Sequence, residues 1–205
     1  MAARTTVREI DTPSGPARAH VTKASSRPNL GLAVLGHGAG GGIEAPDLLA
    51  VTAALTDVGW SIARVEQPYR VKGRRAPEAA PRLDAAWIAV VAALRGRRRY
   101  PVLVAGRSSG ARVACRTAEA VGASAVLALA FPLHPPGKPE KSRADELLAV
   151  TVPTLVVQGE RDPFGVAADL PIGPMVVTVP GDHSLRQAPE QIGEAVLDWL
   201  AGIGL

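Results

Sequence analysis

The residue types needed for nucleophilic catalysis occur in the segment that ends at Gly110. An apolar, strand-like run at 102–105 leads directly into Gly-Arg-Ser-Ser-Gly at 106–110, and a helix-like segment, 111–121, follows. A serine at a sharp turn between a strand and a helix holds its hydroxyl clear of the sheet. Glycines two residues before and after that serine avoid clashes where the backbone passes close. The pattern therefore predicts that Ser108 is a nucleophile.

Two later segments supply the groups that would activate this serine. A serine hydroxyl is a weak nucleophile until a neighbouring imidazole takes its proton. His183, in Gly-Asp-His-Ser, is the candidate base, and Asp162, in Gly-Glu-Arg-Asp-Pro-Phe-Gly, is the carboxylate that would hold the imidazole in the required tautomer. The chain order serine, aspartate, histidine is one known order for such a triad. We therefore predict that Ser108, Asp162 and His183 are the catalytic residues.

Each of these residues also has a structural interpretation that the sequence leaves open. Ser108 could cap the helix that follows it, and Asp162, which precedes Pro163, could open a turn. His183 could belong to an ordinary surface loop. The other carboxylates that could pair with the histidine are Asp145, Asp169 and Asp182. Asp182 adjoins the histidine and would point elsewhere in an extended loop, so Asp162 is preferred.

Acyl transfer through a serine also needs backbone N–H groups that stabilise the oxyanion of the tetrahedral intermediate. One donor is expected from Ser109, at the start of the helix, and the other from Ala39, in the glycine-rich segment after an apolar run. Four further residues are expected to border the substrate, because they adjoin the serine or follow candidate strands. They are His37, Gly38, Arg107 and His134.

The elements that would position these residues alternate between strands and helices. Seven apolar segments are candidate strands, of which the first is expected at an edge of the sheet: 17–23, 31–36, 61–66, 100–105, 125–131, 154–158 and 175–179. Helical periodicity appears at 46–58, 82–95, 111–121 and from Pro189 onward. This alternation predicts an α/β fold with a mostly parallel sheet of about seven strands and helices on both faces. In such sheets ligands bind at the carboxyl ends of the strands, where the candidate residues fall.

Length and composition restrict the remaining possibilities. The chain has 205 residues, which predicts a single domain over 1–205. The single cysteine, Cys115, excludes an internal disulfide, and the absence of a Cys/His cluster predicts no metal site. The glycines at 38–42 lack the spacing of phosphate- or dinucleotide-binding loops, so no cofactor is expected. With no secretory apolar segment and no run long enough to span a bilayer, a cytoplasmic protein without membrane contact is expected.

The positive charge of the chain does not by itself indicate nucleic-acid binding. The net charge is +4, but the arginines are scattered, with one tight run at 97–99. No row of aromatic residues accompanies them to stack on bases. We therefore expect a small-molecule substrate and no nucleic-acid partner. The sequence leaves the oligomeric state open.

Taken together, the motifs resemble those of a known family, the small lid-free α/β-hydrolases related to dienelactone hydrolase. The resemblance extends over most of the chain and rests on short segments at 37–41, 105–110, 133–137, 158–165 and 181–184. It implies an α/β-hydrolase fold and an esterase-like serine hydrolase that cleaves a small ester through an acyl-enzyme. The short segment after the fifth candidate strand, 132–141, leaves no room for a lid domain.

This chain departs from the family pattern at one important position. Dienelactone hydrolases proper use a cysteine nucleophile, whereas this chain has Ser108, so their lactone chemistry does not carry over. The same subgroup includes members that serve as subunits of complexes. A catalytically idle scaffold or partner-binding protein is therefore the alternative to a hydrolase.

Overall fold

A computed structural model describes residues 5–24 and 29–205, which form one sheet with helices packed on it. The strands are β1 (Thr5–Ile10), β2 (Ala17–Thr22), β3 (Gly31–Gly36), β4 (Trp60–Glu66), β5 (Val102–Arg107), β6 (Ala125–Leu129), β7 (Thr154–Gly159) and β8 (Met175–Val179). The helices are α1 (Pro46–Asp57), α2 (Pro68–Val71), α3 (Ala80–Arg95), α4 (Ser109–Thr117), α5 (Ala144–Leu148) and α6 (Pro189–Gly202).

The predicted mostly parallel sheet is confirmed. The strand order is β1-β2-β4-β3-β5-β6-β7-β8, and every pair from β4 to β8 is parallel. The pairs β1–β2 and β2–β4 are antiparallel. Because the six parallel strands point the same way, the loops after β3, β5, β6, β7 and β8 gather at one edge of the sheet. This edge carries the candidate residues.

The strands differ from the expectation in two details. The sheet has eight strands, because β1 was not recognised, and β2 lies between β1 and β4 instead of at the edge. Five of the six β1 residues are exposed, so the strand lacks the apolar run that identified the others. The edge position of β1 explains this pattern, because an edge strand packs little of its surface against neighbours.

Helices cover both faces of the sheet, as predicted, and each face has its own apolar core. On one face α1 and α6 pack through residues that include Leu55 and Trp199. On the other face α3, α4 and α5 pack through Trp87, Val113 and Leu147. Burying one such side chain contributes about 1.5–3 kcal/mol. These layers hold the strand ends in fixed positions.

The helix boundaries follow local signals with small departures from expectation. Proline stands at the first position of α1, and Gly59, with φ +100°, follows it closely. Helix α3 begins two residues earlier than predicted. The regular part of α4 ends at Thr117, and turns continue to the expected end near 121, where Gly122 adopts φ +59° and the Ala123 N–H donates to the Ala118 carbonyl. That arrangement closes the end of a helix.

The connection between β6 and β7 leaves the carboxyl edge of the sheet open. Residues 130–153 contain one 3₁₀ turn, Pro139–Lys141, and the five-residue helix α5. The prediction of a fold without a lid is confirmed. Within 5–24 and 29–205, no helix combines the length and apolar character needed to cross a bilayer.

Candidate active site

Ser108 occupies a strained turn between β5 and α4. Its φ is +51° and its ψ is −114°, an unusual conformation for a residue with a side chain. The Ser108 N–H donates to the carbonyl of Leu129, at the end of β6, at 2.9 Å. A Cβ on Gly106 would collide with the carbonyl carbon of Gly110. The close backbone approach that the Gly-x-Ser-x-Gly spacing predicts is therefore present.

The structure brings together the three side chains that the sequence selected. His183, in the loop after β8, places Nε2 2.8 Å from the Ser108 Oγ. Its Nδ1 lies 2.8 Å from Oδ2 of Asp162, in the loop after β7. A carboxylate can only accept, so Nδ1 carries the proton and Nε2 is free to accept from the serine hydroxyl. The three groups form one continuous hydrogen-bonded chain.

Asp162 is buried and held from several sides. Its Oδ1 accepts from the Phe164 N–H at 2.8 Å, and its Oδ2 accepts from Gln158 Nε2 at 2.9 Å. The same Gln158 amide lies 3.2 Å from the Phe131 carbonyl and 2.7 Å from the Gly165 carbonyl. Gln158 therefore joins the ends of β6 and β7 to the carboxylate. Sequence reasoning missed it, although a polar residue within an apolar strand was an available signal.

Phe164 borders the imidazole, and His134 lies beside the loop that carries Phe164. The ring of Phe164 lies 4.2 Å from that of His183, with an angle of 31° between the planes. The backbone N–H of His134 donates to the Phe164 carbonyl at 3.1 Å. His134 is half-buried, and its Nε2 would be 3.7 Å from a Cβ on Gly165. His134 thus lies beside the loop that carries Asp162, and Phe164 is a second site residue that the sequence did not indicate.

His37, which is predicted to border the substrate, is held by the backbone on both sides of its ring. It is buried, its Nδ1 donates to the Gly38 carbonyl at 2.9 Å, and its Nε2 accepts from the Gln67 N–H at 3.2 Å. Both ring nitrogens are therefore engaged by the backbone. Burial lowers the pKa of His37, which favours the neutral ring that this pattern requires. The histidine fixes the start of the loop between β3 and α1.

The rest of that loop passes directly beside the serine. A Cβ on Gly38 would lie 3.4 Å from the Ser108 Cβ and 3.4 Å from the Arg107 guanidinium. Ala39 is exposed, and the loop turns at this point, where the Gly41 N–H donates to the Gly38 carbonyl at 3.1 Å. The structure therefore places Gly38 against the serine and Ala39 at the adjoining surface.

Arg107, which is also predicted to border the substrate, contacts two groups of the protein. Its guanidinium donates to Asp47 Oδ2 at 2.8 Å and to the His183 carbonyl at 2.7 Å. Asp47, in the first turn of α1, is fully buried. Two protein partners thus engage the guanidinium. The sequence did not single out Asp47, because an acid beside a proline at a helix start is an ordinary helix signal.

Cys115 lies apart from this chemistry, on the side of α4 that faces the core. It is buried, and burial raises the pKa of its thiol to about 12. A thiol nucleophile must ionise near neutral pH, so Cys115 cannot take the place of the serine. Across 5–24 and 29–205, no group of three or more histidine, cysteine, aspartate or glutamate side chains is arranged to hold a metal ion.

A serine at a strand-to-helix turn, with a histidine and an aspartate from later strand ends, defines the α/β-hydrolase class of folds. A family model for the alpha/beta hydrolase domain matches residues 30–194, and the chain belongs to this family. A search of curated proteins finds no significant match.

Solved structures share the fold over nearly the whole chain. An α/β serine hydrolase without a lid from Xanthomonas campestris aligns with a TM-score of 0.79 at 21% identity, covering 99% of this chain and 96% of that one. Est1E from Butyrivibrio proteoclasticus, bound to ferulic acid, aligns with a TM-score of 0.79 at 20% identity, covering 95% and 98%. A dienelactone hydrolase from Anabaena variabilis aligns with a TM-score of 0.76 at 16% identity, covering 98% and 99%. At these identities the likeness concerns the fold.

Proposed function

We propose that this protein is a serine hydrolase that cleaves a small ester through an acyl-enzyme, with Ser108 as nucleophile. The observation that carries the proposal is the hydrogen-bonded chain from the Ser108 Oγ through His183 to Asp162, with both links at 2.8 Å. A scaffold would have no need for this chain or for the strained serine backbone. Two structural neighbours are named as esterases, and these names favour an ester over other acyl compounds.

In the acylation step His183 acts as general base and then as general acid. As the Ser108 Oγ attacks the ester carbonyl carbon, its proton passes to Nε2 of His183. Asp162 accepts the Nδ1 hydrogen bond throughout and stabilises the imidazolium that forms. The imidazolium then protonates the leaving alkoxide. The acyl group remains bonded to the serine.

The negative charge of each tetrahedral intermediate requires backbone donors. The Ser109 N–H lies in the first turn of α4, where helix N–H groups have no intrahelical acceptor. The Ala39 N–H belongs to the loop that passes beside Ser108. These two groups are the proposed oxyanion donors, and losing one such donor typically costs about 2.7–4 kcal/mol of transition-state stabilisation.

Water completes the reaction by the reverse proton transfers. His183 Nε2 takes a proton from the water that attacks the acyl carbonyl, and the proton returns to the Ser108 Oγ as the acid leaves. Gly38 and His134 are the residues proposed to border the bound ester. Because the connection between β6 and β7 adds no lid over this edge, the open site favours short, flexible acyl groups.

Turnover of short-chain p-nitrophenyl esters by the Ser108→Ala variant tests the proposal. We expect kcat to fall by about 10⁴-fold or more, with unchanged melting temperature. Ser61→Ala is the matched control, because Ser61 lies at the opposite end of the parallel strands. Near wild-type turnover by a folded Ser108→Ala protein would exclude the proposed nucleophile.

A further inference from the structure

Arg107 links two parts of the site that the reacting groups do not themselves connect. Its Nε donates to Asp47 Oδ2 at 2.8 Å, and its Nη2 donates to the His183 carbonyl at 2.7 Å. The Arg107 side chain is 16% exposed and that of Asp47 is fully buried. The guanidinium is therefore held between helix α1 and the loop that follows β8.

Asp47 is itself fixed in place, so it gives Arg107 a rigid anchor. Its Oδ1 accepts from the Leu48 N–H at 3.0 Å within the first turn of α1, where the helix dipole favours a negative charge. Burial raises the pKa of the Asp47 carboxyl, and the Arg107 guanidinium opposes that rise. A buried charge tolerates the loss of its partner poorly, so each group constrains the other.

The second contact of Arg107 acts on the main chain from which the imidazole projects. The loop after β8 turns sharply, with φ values of +116° at Gly181 and +51° at Leu185. The Arg107 guanidinium holds the carbonyl of His183 between these two points. Since Arg107 immediately precedes Ser108, the contact ties the histidine loop directly to the serine turn.

We propose that Arg107, anchored by Asp47, is a positioning residue that sets the distance between His183 Nε2 and the Ser108 Oγ. The inference rests on the proposed function. A displacement of about 1 Å between reacting groups can cost about 100-fold in rate. The guanidinium contacts no reacting atom and affects catalysis only through the main chain of His183. Its loss therefore lowers kcat and leaves KM nearly unchanged, whereas a substrate-binding arginine would mainly raise KM.

The test compares Arg107→Lys, Arg107→Ala and Asp47→Asn with a matched control. We would measure kcat and KM with p-nitrophenyl acetate and the rate at which a fluorophosphonate labels the serine. For each variant we expect a fall of about 10–100-fold in kcat and in labelling rate, with KM within about twofold. Adding ethylguanidine should raise the kcat of Arg107→Ala by about fivefold or more, because this molecule can occupy the space of the lost guanidinium and its two methylene groups.

The control is Arg116→Gln. Arg116, like Arg107, is a partly buried arginine with two partners, and both of its partners are carboxylates. Arg116 donates to Asp84 at 2.8 and 2.6 Å and to Glu146 at 3.2 Å, away from the serine. We expect it to lower the melting temperature while kcat stays at the wild-type level. If Arg107→Ala does not fold, Arg107→Lys and Asp47→Asn carry the test.

The outcomes separate this inference from the proposed function. Wild-type protein that is labelled rapidly, together with folded Arg107 variants labelled equally fast, would overturn the positioning role alone. A variant with unchanged kcat and raised KM would also overturn it in favour of substrate binding. Wild-type protein that neither reacts with the probe nor hydrolyses the ester would reject the proposed function and this inference together.

Discussion

The carbonyl oxygen of Gly36, the last residue of β3, lies 2.5 Å from the position that a Cβ on Gly110 would occupy. The His37 carbonyl would lie 2.8 Å from the same atom. The first turn of α4 therefore rests directly on the backbone that leads into the loop beside the serine. No other residue type fits at position 110 without movement of one of these main chains.

The Gly110→Ala substitution should accordingly disrupt the serine turn. Because the clashing atoms belong to the backbone, we expect the free energy of unfolding to fall by about 2–4 kcal/mol. Gly42→Ala is the control, since a Cβ there meets nothing within 4 Å and should change stability by less than about 0.5 kcal/mol. Urea denaturation measures both. Equal stability of the two variants would show that the backbone at Gly36 and His37 leaves room for a side chain at position 110.

Gln158→Leu tests the buried amide that holds Asp162. Leucine is similar in size to glutamine but lacks the N–H donor that faces the Phe131 and Gly165 carbonyls and the Asp162 carboxylate. We expect the free energy of unfolding to fall by about 2–4 kcal/mol and kcat to fall by about 10-fold or more. Gln191→Leu, on the exposed face of α6, should change neither. An unaltered kcat in a stable Gln158→Leu protein would show that the amide does not position Asp162.

The pH dependence of stability tests the role of His37. Burial lowers its pKa in the folded state, so below about pH 6.5 the unfolded chain binds more protons than the folded one. The contribution of His37 to stability is therefore complete above that pH and is lost as the pH falls through the folded-state pKa. His37→Gln removes the two buried hydrogen bonds of the ring and should cost about 1–3 kcal/mol at pH 7.5.

The comparison is between wild type and His37→Gln by urea denaturation at pH 7.5 and pH 5. The difference in unfolding free energy between wild type and His37→Gln should be smaller at pH 5, because keeping the buried ring neutral at that pH destabilises the wild type. A gap that stays constant or widens would contradict a buried neutral imidazole at this position.

The sequence was sufficient for the features that depend on local rules. Gly106 and Gly110 at fixed distances from Ser108, within a strand-to-helix pattern, predicted the turn and its close backbone contacts. Parallel strands place the loops that follow them at one edge, so the approach of Asp162 and His183 to the serine followed from the alternation of strands and helices.

What the sequence did not predict depends on side-chain direction and on pairing across the fold. Arg107 adjoins the serine in the sequence and His37 begins the loop beside it, but the directions of their side chains toward Asp47 and Gln67 are set by tertiary packing. Asp47 is distant in sequence from Arg107, and its own neighbourhood resembles any helix start. Strand β1 was missed for a related reason, since an exposed edge strand leaves little apolar pattern in the sequence.

The most direct test of Ser108 as the nucleophile is labelling of the folded protein with a fluorophosphonate, followed by peptide mapping. We expect one modification, at Ser108, which is absent from Ser108→Ala and at least about 100-fold slower in His183→Ala because the base is missing. Modification at another residue, or no reaction with the folded wild-type protein, would contradict it.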